Sequence, residues 1–520
     1  MPPSGPRSHW SDLLHVSLPP DGVGPLFHQI YLRLREAIVA NTLAPGSKLP
    51  SSRDLATRLK VSRTSVVSAY DQLVAEGYAV GREGSGTYVA EDVPAAIVRP
   101  AHGPDALQSP SPPRISQAGG RYAHFGAGID VTGAVPFAPG CCSVDAKTVE
   151  AWRRIGVAQM RQFDPAHLAY ADPSGDVGLR QQIAEYLRAA RAVRCEADQV
   201  IVLSGAQQAI DLSVRTLLNP GDPVWVEDPG YLATRAALSA AGAHLVPVPV
   251  DDGGLDVGAG IAAAPEARAV YITPSHQYPT GAVMSMARRL DLLAWAARTG
   301  AWIIEDDYDS EFRYAGPPLA SLQGLDQAGC VVYVGTLSKV LFPGIRLGFA
   351  VVPPALVDAF RGARFLSDRS PPSLPQMMTA QFMRQGLLTS HIRRMRQHYR
   401  AARDVLVEAI TRHMGDLVEI EVPDCGIQLV LHFRPTVAVS DVVVSEAARG
   451  RGLVVKPVSP LYMTAPPRQG LVLGYSGFDP HRLRAAAADL ARITRAVMGV
   501  APRKPASRTA PTRHRSAVSR

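Results

Sequence analysis

Cysteine is scarce: Cys141, Cys142, Cys195, Cys330 and Cys425 are the only five in 520 residues, and none forms a CxxC pair. The odd count and the spacing exclude a disulfide framework and a zinc knuckle, and they fit a reducing cytoplasm. No metal site is expected. No run approaches the roughly 18 consecutive apolar residues of a membrane-spanning helix, so no membrane partner is expected either. Residues Met1 to Trp10 hold three prolines and no apolar stretch, which argues against a secretory signal. Charged residues are only 19% of the chain and aromatics 6%. That is too little charge for a disordered polyelectrolyte. With 46% hydrophobic residues, there is ample aliphatic material for a large core.

The net charge of +8 is unevenly placed. Beyond residue 500, Arg503, Lys504, Arg508, Arg513, Arg515 and Arg520 stand with no acid. This 501–520 tail, rich in Pro, Ser, Thr and Ala, reads as a disordered basic extension able to touch polyanions without sequence preference. A second boundary is marked by Pro94, Pro100, Pro104, Pro110, Pro112 and Pro113, so residues 93–122 read as an extended linker. It joins a small module at 24–92 to a large region at 123–500, where β-branched runs alternate with helical patterns. That alternation predicts an α/β domain.

In the small module, Phe27, Ile30, Tyr31, Leu34 and Ile38 share one face at helical spacing. Ser51 or Ser52 can cap a short helix holding Leu55, Ala56 and Leu59. Ser62 can cap a third helix, with Val66, Tyr70 and Leu73 inward and Gly77 at its end. Helix, short turn and helix are the layout of a helix-turn-helix, whose second helix presents its N-terminal residues to the major groove. The run Arg82-Glu83-Gly84-Ser85-Gly86 between two short strands reads as a wing. Over nearly its whole length, PLFHQIYLRLREAI to SRTSVVSAYDQLVAEGYAVGREGSGTYVA, the module resembles the winged-helix domain of GntR-type transcription regulators. The resemblance implies contacts to double-stranded DNA from Arg53, Ser62, Arg63, Thr64 and Gly86.

The richest stretch of the large region is Thr336-Leu337-Ser338-Lys339-Val340-Leu341-Phe342-Pro343-Gly344-Ile345-Arg346. It follows the apolar run Val331 to Val334, so Lys339 emerges beside a buried strand. An ammonium there is costly unless paired or chemically used, and such an amine can form a Schiff base with an aldehyde. Thr336, Ser338 and Arg346 supply donors for a phosphate. Aldehyde plus phosphate points to pyridoxal 5'-phosphate. Upstream, the strand at Trp302–Ile304 leads into Glu305-Asp306-Asp307-Tyr308-Asp309. A carboxylate at a strand's C-terminal end suits a pyridine nitrogen, and a nearby tyrosine suits the ring's phenolic oxygen. The same acids also read as a solvated surface turn. Ser204-Gly205-Ala206 links a strand to a helix whose N-terminus can take an anion. Tyr231 follows another strand and either stacks on a cofactor or closes the core edge. In Pro274-Ser275-His276-Gln277-Tyr278-Pro279-Thr280-Gly281, His276 reads as a satisfied structural histidine.

The order of these pieces resembles the fold-type I, aspartate-aminotransferase-like enzymes. EDDYDSEFRY, PSHQYPTG and the GntR-type module together are similar to MocR-type regulators. The resemblance implies an N-terminal winged helix-turn-helix domain, a large domain with a mainly parallel central sheet and helices on both faces, and a small C-terminal α+β subdomain. It also implies Lys339 as the residue bonded to the cofactor, Asp306 on its ring nitrogen, Tyr308 on its phenolic oxygen and Tyr231 stacked on its ring. Ser204, Gly205, Ala206, Thr336, Ser338 and Arg346 would surround its phosphate. A head-to-tail homodimer and an effector that is an amine, an amino acid or pyridoxal phosphate itself are further implications. Two departures bear on turnover. Tyr278 stands where aminotransferases carry asparagine, and Val472 stands where they carry the arginine that grips a substrate carboxylate; valine cannot bind one. A cytoplasmic regulator that senses through this domain and an aminotransferase carrying a DNA-binding module both remain open.

Overall fold

A computed structural model describes residues 24–92, 114–126, 135–316 and 319–499. The proline-rich stretch 93–113 and the basic tail 501–520 lie outside the described residues. The chain forms two compact units, one up to residue 113 and one from 114 onward.

The first unit packs helices α1 (Leu26–Val39), α2 (Ser52–Leu59) and α3 (Arg63–Ala75) around Ile30, Leu34, Ile38, Leu55, Val66, Tyr70 and Leu73. Phe27 departs from the expected inward face. It lies on the first turn of α1 and is 37% exposed. Ser51, not Ser52, caps α2 by accepting from Asp54 N at 3.1 Å. Ser62 caps α3, accepting from Ser65 N at 3.2 Å. Each such cap is worth about 1 kcal/mol. Lys60, in the left-handed region at φ +53°, makes the tight turn between the two helices. Strands β1 (Ala79–Arg82) and β2 (Gly86–Val89) pair antiparallel, Arg82 opposite Gly86, and form the wing.

In the second unit a helix at Gln117–Gly126 comes first. The expected linker of 93–122 therefore runs six residues into a helix. Gly119 and Gly120 hide it in the sequence, since glycine disfavours helix. It lies against the helix Leu232–Ala240, with the Arg121 guanidinium donating to the Ser239 carbonyl. Behind it stands an eight-stranded sheet of β3 (Val200–Leu203), β4 (Pro223–Asp228), β5 (His244–Asp251), β6 (Gly254–Leu255), β7 (Ala269–Ile272), β8 (Trp302–Asp307), β9 (Val331–Thr336) and β10 (Gly348–Val351). Its order is β3-β10-β9-β8-β7-β4-β5-β6. The central run from β9 to β5 is parallel; β10 and β6 are antiparallel to their neighbours.

Alternate strand residues go to opposite faces, and both faces are covered. Ile304, Val332 and Val334 pack with Ile210, Leu212 and Phe360. Ile303 and Val331 pack with Leu292 and Trp295 on the other side. Burial on both faces explains why these strands read as continuous apolar runs. A second, antiparallel sheet joins β11 (Val418–Ile420), β12 (Gln428–Phe433), β13 (Lys456–Pro457) and β14 (Gly470–Gly474) in the order β11-β12-β14-β13. The helices Leu387–Met414 and Pro480–Val497 cover its inner face. Because β4, β7, β8 and β9 run in the same direction, the loops after them open at one edge of the large sheet. That edge is where ligands bind open α/β sheets.

Candidate functional site

Lys339 lies three residues past the end of β9 and is half-buried. Its ammonium donates to the Gly140 carbonyl at 3.2 Å. A Cβ on Gly140 would overlap the amine, so glycine at 140 is what lets the lysine lie there. Cys142 donates to the Lys339 carbonyl at 2.9 Å. Burial pushes the Cys142 thiol up to about 12, so it stays protonated beside Lys339.

Asp306, the fifth residue of β8, is buried. Oδ2 accepts from the Tyr271 hydroxyl at 2.6 Å, while Oδ1 has no partner among the described residues. Burial raises this carboxyl to about 7, helped by Asp307 and Asp309 and opposed by the Tyr271 bond and Lys339. A buried acceptor without a donor is costly, and a cationic N–H placed against Oδ1 would satisfy it. The neighbouring acids are buried as well, so the surface-turn alternative does not hold. Asp307 pairs with Arg191 at 2.7 Å and accepts from Tyr333 at 2.7 Å. Glu305 accepts from the N–H groups of Leu322 and Gln323 at 2.9 Å each.

At the other end of the lysine loop, Thr336 and Ser338 are buried and lean on the Leu347 carbonyl. The backbone N–H of Ser338 donates to Thr336 Oγ1 at 3.1 Å. Arg346 turns at φ +50°. Its guanidinium lies 3.6 Å from where a Cβ on Gly205 would be. Gly205, at φ +123°, starts the helix Ala206–Leu217 with no side-chain cap. The helix's first N–H groups and one guanidinium thus meet at Ser204-Gly205-Ala206, and Arg346 has no acidic partner among the described residues. This is a ready site for a dianion.

Tyr231 is 39% exposed and meets Tyr278 edge to face, with ring centroids 5.5 Å apart. The loop carrying it is fixed from the small sheet: Gly230 N donates to the Leu461 carbonyl, and Asp228 accepts from the N–H groups of Met463, Thr464 and Ala465. Val472, fully buried on β14, packs with Val430, Val458 and Leu461 against Tyr278 and Tyr462. Around Val472 the small sheet presents an apolar wall.

In the first unit, Arg53, Ser62, Arg63 and Thr64 are exposed at the N-termini of α2 and α3. Arg63 Nε lies 3.3 Å from Ser52 Oγ, which draws the two helix starts together. Gly86, at φ +114°, leaves room for Lys48, whose Cε would meet a Cβ there at 3.0 Å. Lys48 and Arg82 both lie over the Tyr88 ring, at 5.7 and 4.6 Å. The pair adds positive charge to the wing. The sequence did not single them out, because 34 residues separate Lys48 from Arg82, and the β1–β2 pairing together with the Lys48–Tyr88 bridge brings them to one ring.

Residues 26–89 match the family of bacterial regulatory proteins of the gntR type, and residues 138–490 match aminotransferase class I and II. The chain is 39% identical over 460 residues to the probable rhizopine catabolism regulatory protein MocR of Rhizobium meliloti. The match covers 88% of this chain and 92% of that one. It belongs to the MocR-type transcription regulators. Another relative of this MocR-type regulator is the HTH-type pyridoxine biosynthesis transcriptional regulator PdxR of Corynebacterium glutamicum, 30% identical and covering 91% of this chain and 96% of its own. Among solved structures, a kynurenine aminotransferase from Pyrococcus horikoshii in complex with PMP covers 76% of this chain and 96% of its own, at 27% identity and TM-score 0.63. LysN, an α-aminoadipate aminotransferase from Thermus thermophilus, covers 74% of this chain and 98% of its own at 24% identity and TM-score 0.67, and shares the fold. No helix among the described residues of the regulator is long and apolar enough to cross a membrane.

Sequence reasoning missed three partners in the large unit of this MocR-type regulator. Tyr271 lies within an apolar run that reads only as core. Arg191 sits on a helix far from Asp307 in sequence. Asp309 holds His276, with both carboxylate oxygens 3.0 Å from His276 Nδ1.

Proposed function

We propose that this MocR-type regulator binds pyridoxal 5'-phosphate through Lys339 and couples that site to DNA binding. The Asp306 carboxylate carries the reading: buried, raised to about 7, and with one oxygen awaiting a donor. The residues around it fit the cofactor. Asp306 would accept from the ring nitrogen, Tyr308 would donate to the phenolic oxygen, and Tyr231 would cover the ring. Ser204, Gly205, Ala206, Thr336, Ser338 and Arg346 would take the phosphate. When bound, the cofactor supplies an aldehyde that exchanges amines and a ring that draws electrons from them. Lys339 would hold the cofactor through its side-chain amine.

The effector is an amine, an amino acid or pyridoxal phosphate itself; the name of the relative PdxR ties that protein to pyridoxine biosynthesis. Duplex DNA is the partner of the winged module through Arg53, Ser62, Arg63, Thr64 and Gly86. The large units pair head to tail as a homodimer. Tyr170 and Leu366, both 83% exposed, support this, with Arg369 lying over Tyr170 and Phe365. The protein acts in the cytoplasm, on the nucleoid when bound to DNA. The intact Lys339 and Asp306 pair also favours a second reading, a working aminotransferase, while Val472 counts against it; multiple turnovers on an amino-acid panel would select the enzyme. Absorbance of the purified protein tests the main proposal. Added pyridoxal phosphate should give a visible band that Lys339→Ala abolishes, and a band unchanged in the variant would remove Lys339 from the site.

A further inference from the structure

The phenol of Tyr308 does not stand alone. Its oxygen lies 3.1 Å from His276 Nδ1, the same nitrogen that is 3.0 Å from both oxygens of Asp309. Both His276 and Asp309 are buried. Asp309 also accepts from Ile427 N at 3.2 Å. Gly426 closes the other side: a Cβ there would overlap the His276 ring and reach within 2.6 Å of Nδ1. Gly426 is itself held, its carbonyl accepting from Tyr314 and Tyr475 at 2.5 and 2.7 Å. The imidazole is therefore fixed between the loop after β7, the end of β8 and the segment before β12.

A carboxylate with both oxygens at one ring nitrogen fixes the hydrogen on that nitrogen, since a carboxylate accepts and cannot donate. The Tyr308 hydroxyl cannot then donate to Nδ1, which already carries a hydrogen. At most it shares that hydrogen with Asp309 as a further acceptor, and its own hydrogen must point elsewhere. We infer that His276, its tautomer set by Asp309, is a positioning residue that turns the Tyr308 O–H toward the phenolic oxygen of the bound cofactor. The inference rests on the cofactor reading above, and it makes PSHQ a functional motif rather than a strand-end loop.

A double-mutant cycle on pyridoxal phosphate affinity, read from the visible band of the full-length protein, tests it. Tyr308→Phe should weaken binding by about tenfold, the scale of one hydrogen bond in a buried site. His276→Phe should weaken it by a similar factor and shift the band as Tyr308→Phe does. The double variant should be no weaker than the worse single one. His276→Asn, whose side-chain N–H lies near the place of Nδ1 and can still reach Asp309, should restore most of the affinity and the band position. Losses that multiply to about a hundredfold in the double variant would show that His276 does not act through Tyr308. So would a His276→Asn variant as weak as His276→Phe. If the wild type gives no band at all, the cofactor reading fails first and this inference falls with it. Tyr308→Phe without effect, in a wild type that does bind, would overturn the inference alone.

Discussion

Burial of ionisable groups is the feature of this site with the clearest measurable consequence at the scale of single residues. Asp306, Glu227 and Glu305 are each raised to about 7, chiefly by burial, from ordinary carboxyl values of about 4. Between those limits the folded chain holds protons that the unfolded chain has released. The contribution of these three carboxyls to stability therefore falls as pH rises from about 4 to about 7, and it is not regained above that range. A cationic ring nitrogen on Asp306 would reverse that residue's share. Thermal melts should show pyridoxal phosphate raising the melting temperature more at pH 8 than at pH 5. Asp306→Asn should flatten the cofactor-free pH dependence relative to wild type and weaken cofactor binding. Equal cofactor effects at both pH values, in wild type and variant alike, would mean that Asp306 carries no such role.

At the scale of elements, the winged module joins sequence to function most directly. Serine caps set where α2 and α3 begin, and so fix which side chains stand at their exposed N-termini. Arg63 is one of them, and its planar guanidinium can read a base edge. Arg63→Ala should cost about 1–3 kcal/mol on the specific duplex and little on random DNA. Lys48→Ala, on the wing, should weaken both alike and lower the salt slope by about one. Fluorescence anisotropy against specific and random duplexes at several salt concentrations separates the two. An equal loss on both for Arg63→Ala would assign it to phosphate contact.

For the whole molecule, an occupied cofactor site can alter DNA binding only if the states it favours differ in DNA affinity. Titrating the intergenic duplex beside the protein's own gene, with and without pyridoxal phosphate, should show a changed affinity or footprint. Lys339→Ala should not respond. An unchanged affinity and footprint in wild type would reduce the large unit to a scaffold for a constitutive DNA binder.

Much of this protein can be read from its chain because its site residues cluster at strand ends. The apolar runs before Ser204, Glu227, Thr273, Glu305 and Thr336 announce buried strands, and the loops after the parallel ones lie at the same edge of the sheet. Caps, turns and the lysine motif are local, so local rules find them. The helix at Gln117–Gly126 was hidden because its glycines speak for a loop, and only packing against the helix Leu232–Ala240 overrules them. Tyr271 against Asp306, Arg191 against Asp307 and Asp309 with Gly426 around His276 were settled by tertiary structure alone. Each joins residues remote in sequence or set on different elements, and no periodicity records which buried donor will face which acceptor. The chain announced a lysine, an aspartate and a tyrosine in loops and strand ends along the large sheet. The fold decided which of their atoms are satisfied by protein and which, like Asp306 Oδ1, are buried without a partner among the described residues, because desolvation depends on everything packed around them.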